Sequence, residues 1–228
     1  MSAVTLTIEG KAIATPTKSP PTLLDGETWI AASWDEFLQA AENPDYDKAK
    51  FYYYQDHLRI EMSPIGNDHA TDHSIVNSII HLYAALKQVS IMNRDACSYR
   101  KVDQWEVQPD ISCHVGENAM AIPYGTGIVD LAQYPPPDLV IEIANSSLSD
   151  DQGKKRLLYE ELGVKEYWIV DVKLAKILGL EMKNKGSYQI RESLVLPGLN
   201  LAILEEALQK TRQTNHGEVM RWLLTQFS

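Results

Sequence analysis

From Gln104 to Val115 apolar and polar residues alternate almost without a break. Trp105, Val107, Pro109, Ile111 and Cys113 fall on one side; Glu106, Gln108, Asp110, Ser112 and His114 fall on the other. A period of two predicts a half-buried strand, and Pro109, with no N–H for a ladder, marks an edge or bulged position within it. Two later runs differ. Pro137-Asp138-Leu139-Val140-Ile141-Glu142-Ile143 and Glu166-Tyr167-Trp168-Ile169-Val170-Asp171 are apolar on both faces, and a charged helix from about Asp150 to Leu162, closed by Gly163, separates them. Strand, helix and strand of this kind predict a crossover unit in a mostly parallel central sheet.

The remaining pattern fills in around these elements. Ser33 caps a short helix through Trp34, Phe37 and Leu38. Phe51–Tyr54 and Leu58–Met62, joined at Gln55-Asp56-His57, predict a β-hairpin. Asp68 or Thr71 opens a helix that runs to about Gln88, with Ile75, Ile79, Leu82 and Leu86 as its core-facing stripe. Residues 116–137 form a long irregular connection, and hairpin-like strands at Ala175–Met182 and Tyr188–Leu196 precede two C-terminal helices. Pro16, Pro20 and Pro21 among Thr, Ser and Lys predict a flexible arm over residues 1–26, leaving 27–228 as a single domain.

Composition changes this picture little. The 228 residues, 44% hydrophobic and 23% charged, suit one domain with a full core. No apolar run approaches the ~20 residues that span a bilayer, and the N-terminus lacks a signal-peptide layout. With only Cys97 and Cys113, neither a disulfide scaffold nor a thiolate metal site is expected, and a cytoplasmic location follows. Charge matters more. A net charge of -10 argues against a strong non-specific nucleic-acid binder. Any phosphate contact has to come from a local basic patch, a bridging metal or a dimer.

Glu142 is the chemical anomaly. A carboxylate inside a buried strand costs several kcal/mol, roughly, unless it is paired, hydrogen-bonded or bound to a cation. Asp110, on the polar side of its own strand, is the natural second acid, and two carboxylates on neighbouring strands can hold a Mg²⁺ or Mn²⁺ ion that activates water against a phosphodiester. Asp138 shares the face of Glu142 but lies about 13 Å along the strand at ~3.3 Å per residue, too far for one ion. The plain alternatives are a solvated carboxylate for Asp110 and a buried salt bridge for Glu142.

A set of short motifs carries a resemblance. These are Glu61-Met62-Ser63-Pro64, His69 and His73, Gln108-Pro109-Asp110, the Pro137–Ile143 run, Asp151-Gln152-Gly153-Lys154-Lys155 with Tyr159, Gly163 to Asp171, and Leu196-Pro197-Gly198-Leu199. In this order, over roughly residues 30–204, the chain resembles the Uma2-type family (DUF820), restriction-endonuclease-like proteins of the PD-(D/E)xK nuclease superfamily that are abundant in cyanobacteria. The resemblance implies an α/β, restriction-endonuclease-like fold: a mixed central sheet flanked by helices, with an N-terminal β-hairpin extension. It also implies a metal-dependent endonuclease acting on DNA, with Asp110 and Glu142 as metal ligands.

One departure stands out. The superfamily lysine sits two residues after the acid, and here that place is Ala144. A migrated lysine on the following helix answers it. Lys155 shares a helix face with Tyr159, whereas Lys154 points roughly 100° away. Lys155 is therefore the third catalytic candidate, and Glu61, His73 and Tyr159 are candidates for the cleft. A surface carboxylate and a core aromatic are the plain readings of Glu61 and Tyr159. The basic residues Arg94, Arg100, Lys101 and Lys154-Lys155-Arg156 are candidates for phosphate contact or ordinary solvated faces. By analogy with the fold, a homodimer would cut two strands. The competing reading is a catalytically inactive nuclease-fold protein that binds or regulates, and a weaker one is a hydrolase of small phosphorylated substrates.

Overall fold

The computed structural model describes residues 28–62 and 65–228; the arm predicted for residues 1–26 lies outside them. Two six-stranded sheets organise the chain. In chain order the strands are β1 (Ile30–Ala31), β2 (Lys50–Tyr54), β3 (His57–Glu61), β4 (Ile91–Asp95), β5 (Tyr99–Lys101), β6 (Trp105–Val107), β7 (Ile111–Val115), β8 (Val129–Asp130), β9 (Leu139–Ala144), β10 (Glu166–Asp171), β11 (Lys176–Lys183) and β12 (Gly186–Ile190). The helices are α1 (Trp34–Ala41), α2 (Asn67–Lys87), α3 (Leu148–Gln152), α4 (Lys154–Leu162), α5 (Leu201–Thr211) and α6 (His216–Phe227).

The central sheet runs β12-β11-β10-β9-β7-β4 and the second sheet β1-β3-β2-β6-β5-β8. The expected mixed sheet flanked by helices is present, and the N-terminal hairpin β2–β3 is the nucleus of the second sheet. The central sheet is not mostly parallel, however. Only β9 and β10 run parallel in it, joined through α3 and α4; β7 meets β9, and β11 meets β10, antiparallel.

The alternating run 104–115 is two strands rather than one. β6 pairs with β2 and β5 in the second sheet, whereas β7 pairs with β9 and β4 in the central sheet. Pro109 sits at the break. Lacking an N–H it cannot continue the ladder, and the chain passes there from one sheet to the other. Because the two sheets face each other, the polar side of the run is covered too: Glu106, Asp110, Ser112 and His114 are all buried. Tyr99 bonds Ser112, and Arg94 and the Pro135 carbonyl meet His114.

Helix α2 packs on β9, α5 and α6. Ile75, Val76, Ile79, Ile80 and Tyr83 are buried, with Ile141, Ile143, Trp168, Leu204, Leu208 and Leu223 around them. The predicted stripe was too narrow, since neighbours press on two sides of the helix, and Leu86 at its end is 43% exposed. On the opposite side of β9, Val140 and Ala144 face a second core made with Tyr52, Tyr99, Leu158 and Tyr159. Glu142 shares their parity along the strand, so it points into the space between the sheets. Helix α1 closes the outer side of the hairpin over Phe37, Tyr53 and Leu58.

The helix predicted from Asp150 to Leu162 is broken at Gly153, the cap shared by α3 and α4. A Cβ there would lie 2.9 Å from the Ser149 carbonyl oxygen. Gly163 ends α4 at a φ of 90°, a conformation that costs a glycine little.

Candidate active site

The β7–β9 register sets Ile111 opposite Ile141, so the next pair outward is Asp110 with Glu142, and the one after it Pro109 with Ile143. Directly opposed side chains on one face of an antiparallel pair have Cβ atoms roughly 4.5–5.5 Å apart. Pro109 has no N–H to offer the Ile143 carbonyl. The Ile143 N–H instead donates to Asp110 Oδ2 at 2.8 Å. The proline break therefore frees one rung of β9 and places an acid against it.

A cleft of about 450 Å³ opens at this seam, lined among others by Lys50, Glu61, His69, Asp110, Glu142 and Lys155. Lys50 pairs with Asp110 Oδ1, and His69 Nε2 lies 3.5 Å from the same oxygen. Burial alone would raise the pKa of Asp110; the His69 contact and the Lys50 charge overcome it and hold the group well below the usual carboxylate range.

Glu142 is the opposite case. It is 2% exposed, and among the described residues its contacts all go to one oxygen: Oε1 accepts from Tyr159 at 2.5 Å and Tyr52 at 3.2 Å, and Lys155 Nζ lies 3.7 Å away. Among the described residues no donor reaches Oε2. Burial pushes the Glu142 carboxyl up to about 8; Lys155 works against this, and Asp110, Asp151 and Glu61 add to it.

Lys155 is 1% exposed and sits amid three carboxylates, 2.8 Å from Glu61 Oε1, 3.1 Å from Asp151 Oδ1 and 3.7 Å from Glu142 Oε1. The Asp151 contact is one of charge, without hydrogen-bond alignment. Its ammonium also lies 4.2 Å from the centroid of the Tyr52 ring. Burial would lower its pKa, but Glu142, Glu61 and Asp151 raise it. Glu61, which Arg59 also holds at 2.9 Å, is lowered by Lys155 and Arg59 against the effect of burial.

The structure thus brings Asp110, Glu142, Lys155 and Glu61 to one cleft. Tyr159 lies beneath it as a fully buried donor to Glu142 rather than on its wall. His73 does not line it either. Its Nε2 is 3.1 Å from the Asp110 carbonyl oxygen, and His69, one turn earlier and stacked on it, faces the opening. Ala144 is buried in the second core. Asp138 is at the far end of β9, held by the Val115 N–H at 2.7 Å and by Lys165 at 2.7 Å. The basic residues expected as a patch are largely engaged elsewhere: Arg100 pairs with buried Glu106 at 2.6 Å and Lys101 covers Trp105.

Lys50, Tyr52 and Arg59 carry no site role in the sequence reading, and Asp151 enters it only within the Asp151–Lys155 motif. The register pairs Lys50 with Glu61 and Tyr52 with Arg59, so these four form one face of the hairpin, alternating with Phe51, Tyr53, Leu58 and Ile60. That alternation was visible in the sequence, but the burial of both faces was not.

For a metal ion the available donors are oxygens: Glu142 Oε2, Asp110 Oδ1 and the Ile143 carbonyl. Such a set suits Mg²⁺ or Mn²⁺ completed by water and substrate oxygens. Among the described residues no group of three or more His, Cys, Asp or Glu side chains forms a ready metal cage.

The Uma2 family profile, described as "Putative restriction endonuclease", matches residues 34–219. Among solved structures, a crystal structure described as a putative nuclease belonging to DUF820 from Anabaena variabilis aligns with a TM-score of 0.51 at 18% identity, covering 84% of this chain and 98% of that one. No curated protein matches the chain.

Proposed function

The chain belongs to the Uma2 family of restriction-endonuclease-like proteins, and from that premise we propose that its cleft is the active site of a metal-dependent deoxyribonuclease. One observation carries the reading: Asp110 and Glu142 are opposed across the β7–β9 seam, with no donor among the described residues on Glu142 Oε2 and a buried lysine behind it.

Asp110 Oδ1, Glu142 Oε2 and the Ile143 carbonyl would hold Mg²⁺ or Mn²⁺. When bound, such an ion lowers the pKa of a water and neutralises charge on the phosphoryl oxygens. Tyr52 and Tyr159, both pushed well above the ordinary phenol range by burial and by Glu142, stay protonated and fix the Glu142 carboxylate by donating to Oε1. Glu142, Glu61 and Asp151 raise the pKa of Lys155 against the effect of burial, so it is held as an ammonium. Its role is to orient Glu142 and Glu61 and to stabilise negative charge that grows on the phosphate. Glu61, ionised and on the wall, can align the attacking water by accepting its hydrogen bond. A homodimer acting on two strands and a reducing cytoplasm, suited to the free Cys97 and Cys113, complete the proposal.

The competing reading is a catalytically silent member that binds nucleic acid or protein. It draws on Ala144 in the place of the superfamily lysine and on the net charge of -10. Incubating the protein with plasmid, linear and single-stranded DNA across Mg²⁺ and Mn²⁺ separates the two. Cleavage that vanishes in Asp110→Ala supports the enzyme. Equal cleavage by that variant points to a contaminant or another site. If there is no cleavage and no divalent ion raises the melting temperature, the silent reading stands.

A further inference from the structure

We infer that Lys50 is a tethered counter-cation of Asp110, which a divalent ion must displace to enter the cleft, so that this lysine sets the metal affinity of the site. The inference rests on the metal-site reading above and adds to it a residue outside the acid pair and Lys155.

Asp110 has two oxygens with different duties. Oδ2 is committed to the Ile143 N–H at 2.8 Å. Oδ1 is the one left to face the cleft, and Lys50 Nζ takes it. An ammonium and a divalent ion at one carboxylate oxygen share its lone pairs and, as like charges at close range, repel one another. Occupation by one therefore disfavours the other.

The two lysines of the cleft differ in how firmly they are held. Lys155 is enclosed, 1% exposed, with carboxylates on three sides. Lys50 is the first residue of β2, its side chain is 17% exposed, and among the described residues Asp110 is its one ion-pair partner. It can swing outward on a flexible four-carbon stem, as Lys155 cannot. Its charge persists in place, since Asp110, Glu142 and Glu61 outweigh the effect of burial. Once displaced, its ammonium remains on the wall of the cleft, and a phosphodiester there is the nearest new anion. Metal entry and phosphate binding are then coupled through one side chain.

The test is Mn²⁺ binding without DNA, by titration calorimetry on chelator-treated full-length protein, for the wild type, Lys50→Gln, Lys50→Arg and Asp110→Asn. Lys50→Gln should bind Mn²⁺ about tenfold more tightly, equivalent to roughly 1.4 kcal/mol, and Lys50→Arg should stay near wild type. Thermal melting gives a second readout. Chelated Lys50→Gln should melt below wild type, because Asp110 has lost its ammonium partner and keeps only His69 and the Ile143 N–H, and Mn²⁺ should raise its melting temperature by more than that of wild type. Lys50→Met serves in the same assays if the glutamine variant folds poorly. Unchanged or weaker Mn²⁺ binding by Lys50→Gln and Lys50→Met, with binding lost in Asp110→Asn, overturns the inference and leaves the metal site intact. Wild-type binding by Asp110→Asn overturns the metal site, and the inference with it.

Discussion

Glu142→Gln replaces a carboxylate by an amide of the same shape. Its Oε1 can still accept from Tyr52 and Tyr159, and the new NH₂ takes the position of Oε2, which no donor among the described residues occupies. What changes is the charge. The folded protein holds the Glu142 carboxyl up to about 8 against an ordinary 4.5, chiefly through burial. A carboxyl whose pKa is raised on folding binds more protons folded than unfolded between those two values, so its contribution to stability falls as pH rises from about 4.5 to about 8 and is flat above. At 1.36 kcal/mol per unit the ceiling is roughly 5 kcal/mol. Even a third of this, about 1.5 kcal/mol, moves a chain of this size by roughly 3–6 °C. The glutamine variant lacks that slope. Urea denaturation in chelator at intervals from pH 5 to pH 9 should show it gaining on wild type as pH rises, while Mn²⁺ no longer raises its melting temperature. A difference curve that is flat, or that slopes the other way, would refute the assignment of Glu142 as a buried acid held against its ionisation.

Other expectations follow from the same contacts. Lys155→Met leaves Glu61, Asp151 and Glu142 without their shared cation. Breaking a buried pair in this way costs about 3–5 kcal/mol, readable as a lower denaturation midpoint, and a loss under about 1 kcal/mol would contradict the role given to Lys155. Mn²⁺ affinity of the wild type should rise between pH 5 and pH 8, because Glu142 has to lose its proton to act as a ligand; pH-independent calorimetric titrations would exclude Glu142 as a ligand. Gly179→Ala places a Cβ 2.3 Å from Leu201 Cδ1 inside the core and should cost about 1–3 kcal/mol in urea denaturation without altering Mn²⁺ binding.

Elements whose pattern is local were legible in the sequence. Helix α2 spans Asn67–Lys87, close to the reading from Asp68 or Thr71 to Gln88, and β9 and β10 stand where two doubly apolar runs placed them. What depends on tertiary pairing was not. Pro109 advertised a break in a ladder, but nothing local told that the residues on either side of it would join different sheets. The hairpin showed two faces, and a solvated one was the natural home for Lys50, Arg59 and Glu61; only the central sheet closing over that face makes them part of a site. One buried charge and one alternating strand point to the candidate acids, but their opposition rests on a register that no single strand contains. Helix periodicity favours Lys155 over Lys154, whereas in the sequence Gly153 stands only as part of a motif and not as the break that sets Lys155 beside Asp151.

The crossing of the chain at Pro109 also fixes when such a site can exist. Lys50 meets Asp110 across 60 positions and Tyr52 meets Glu142 across 90. During synthesis, which proceeds from the N-terminus, the hairpin emerges well before β9 and α4 exist. A truncated or nascent chain ending short of Lys155 would carry half of the cleft and neither Lys155 nor its ion pairs, so the cleft is complete only after most of the chain has left the ribosome.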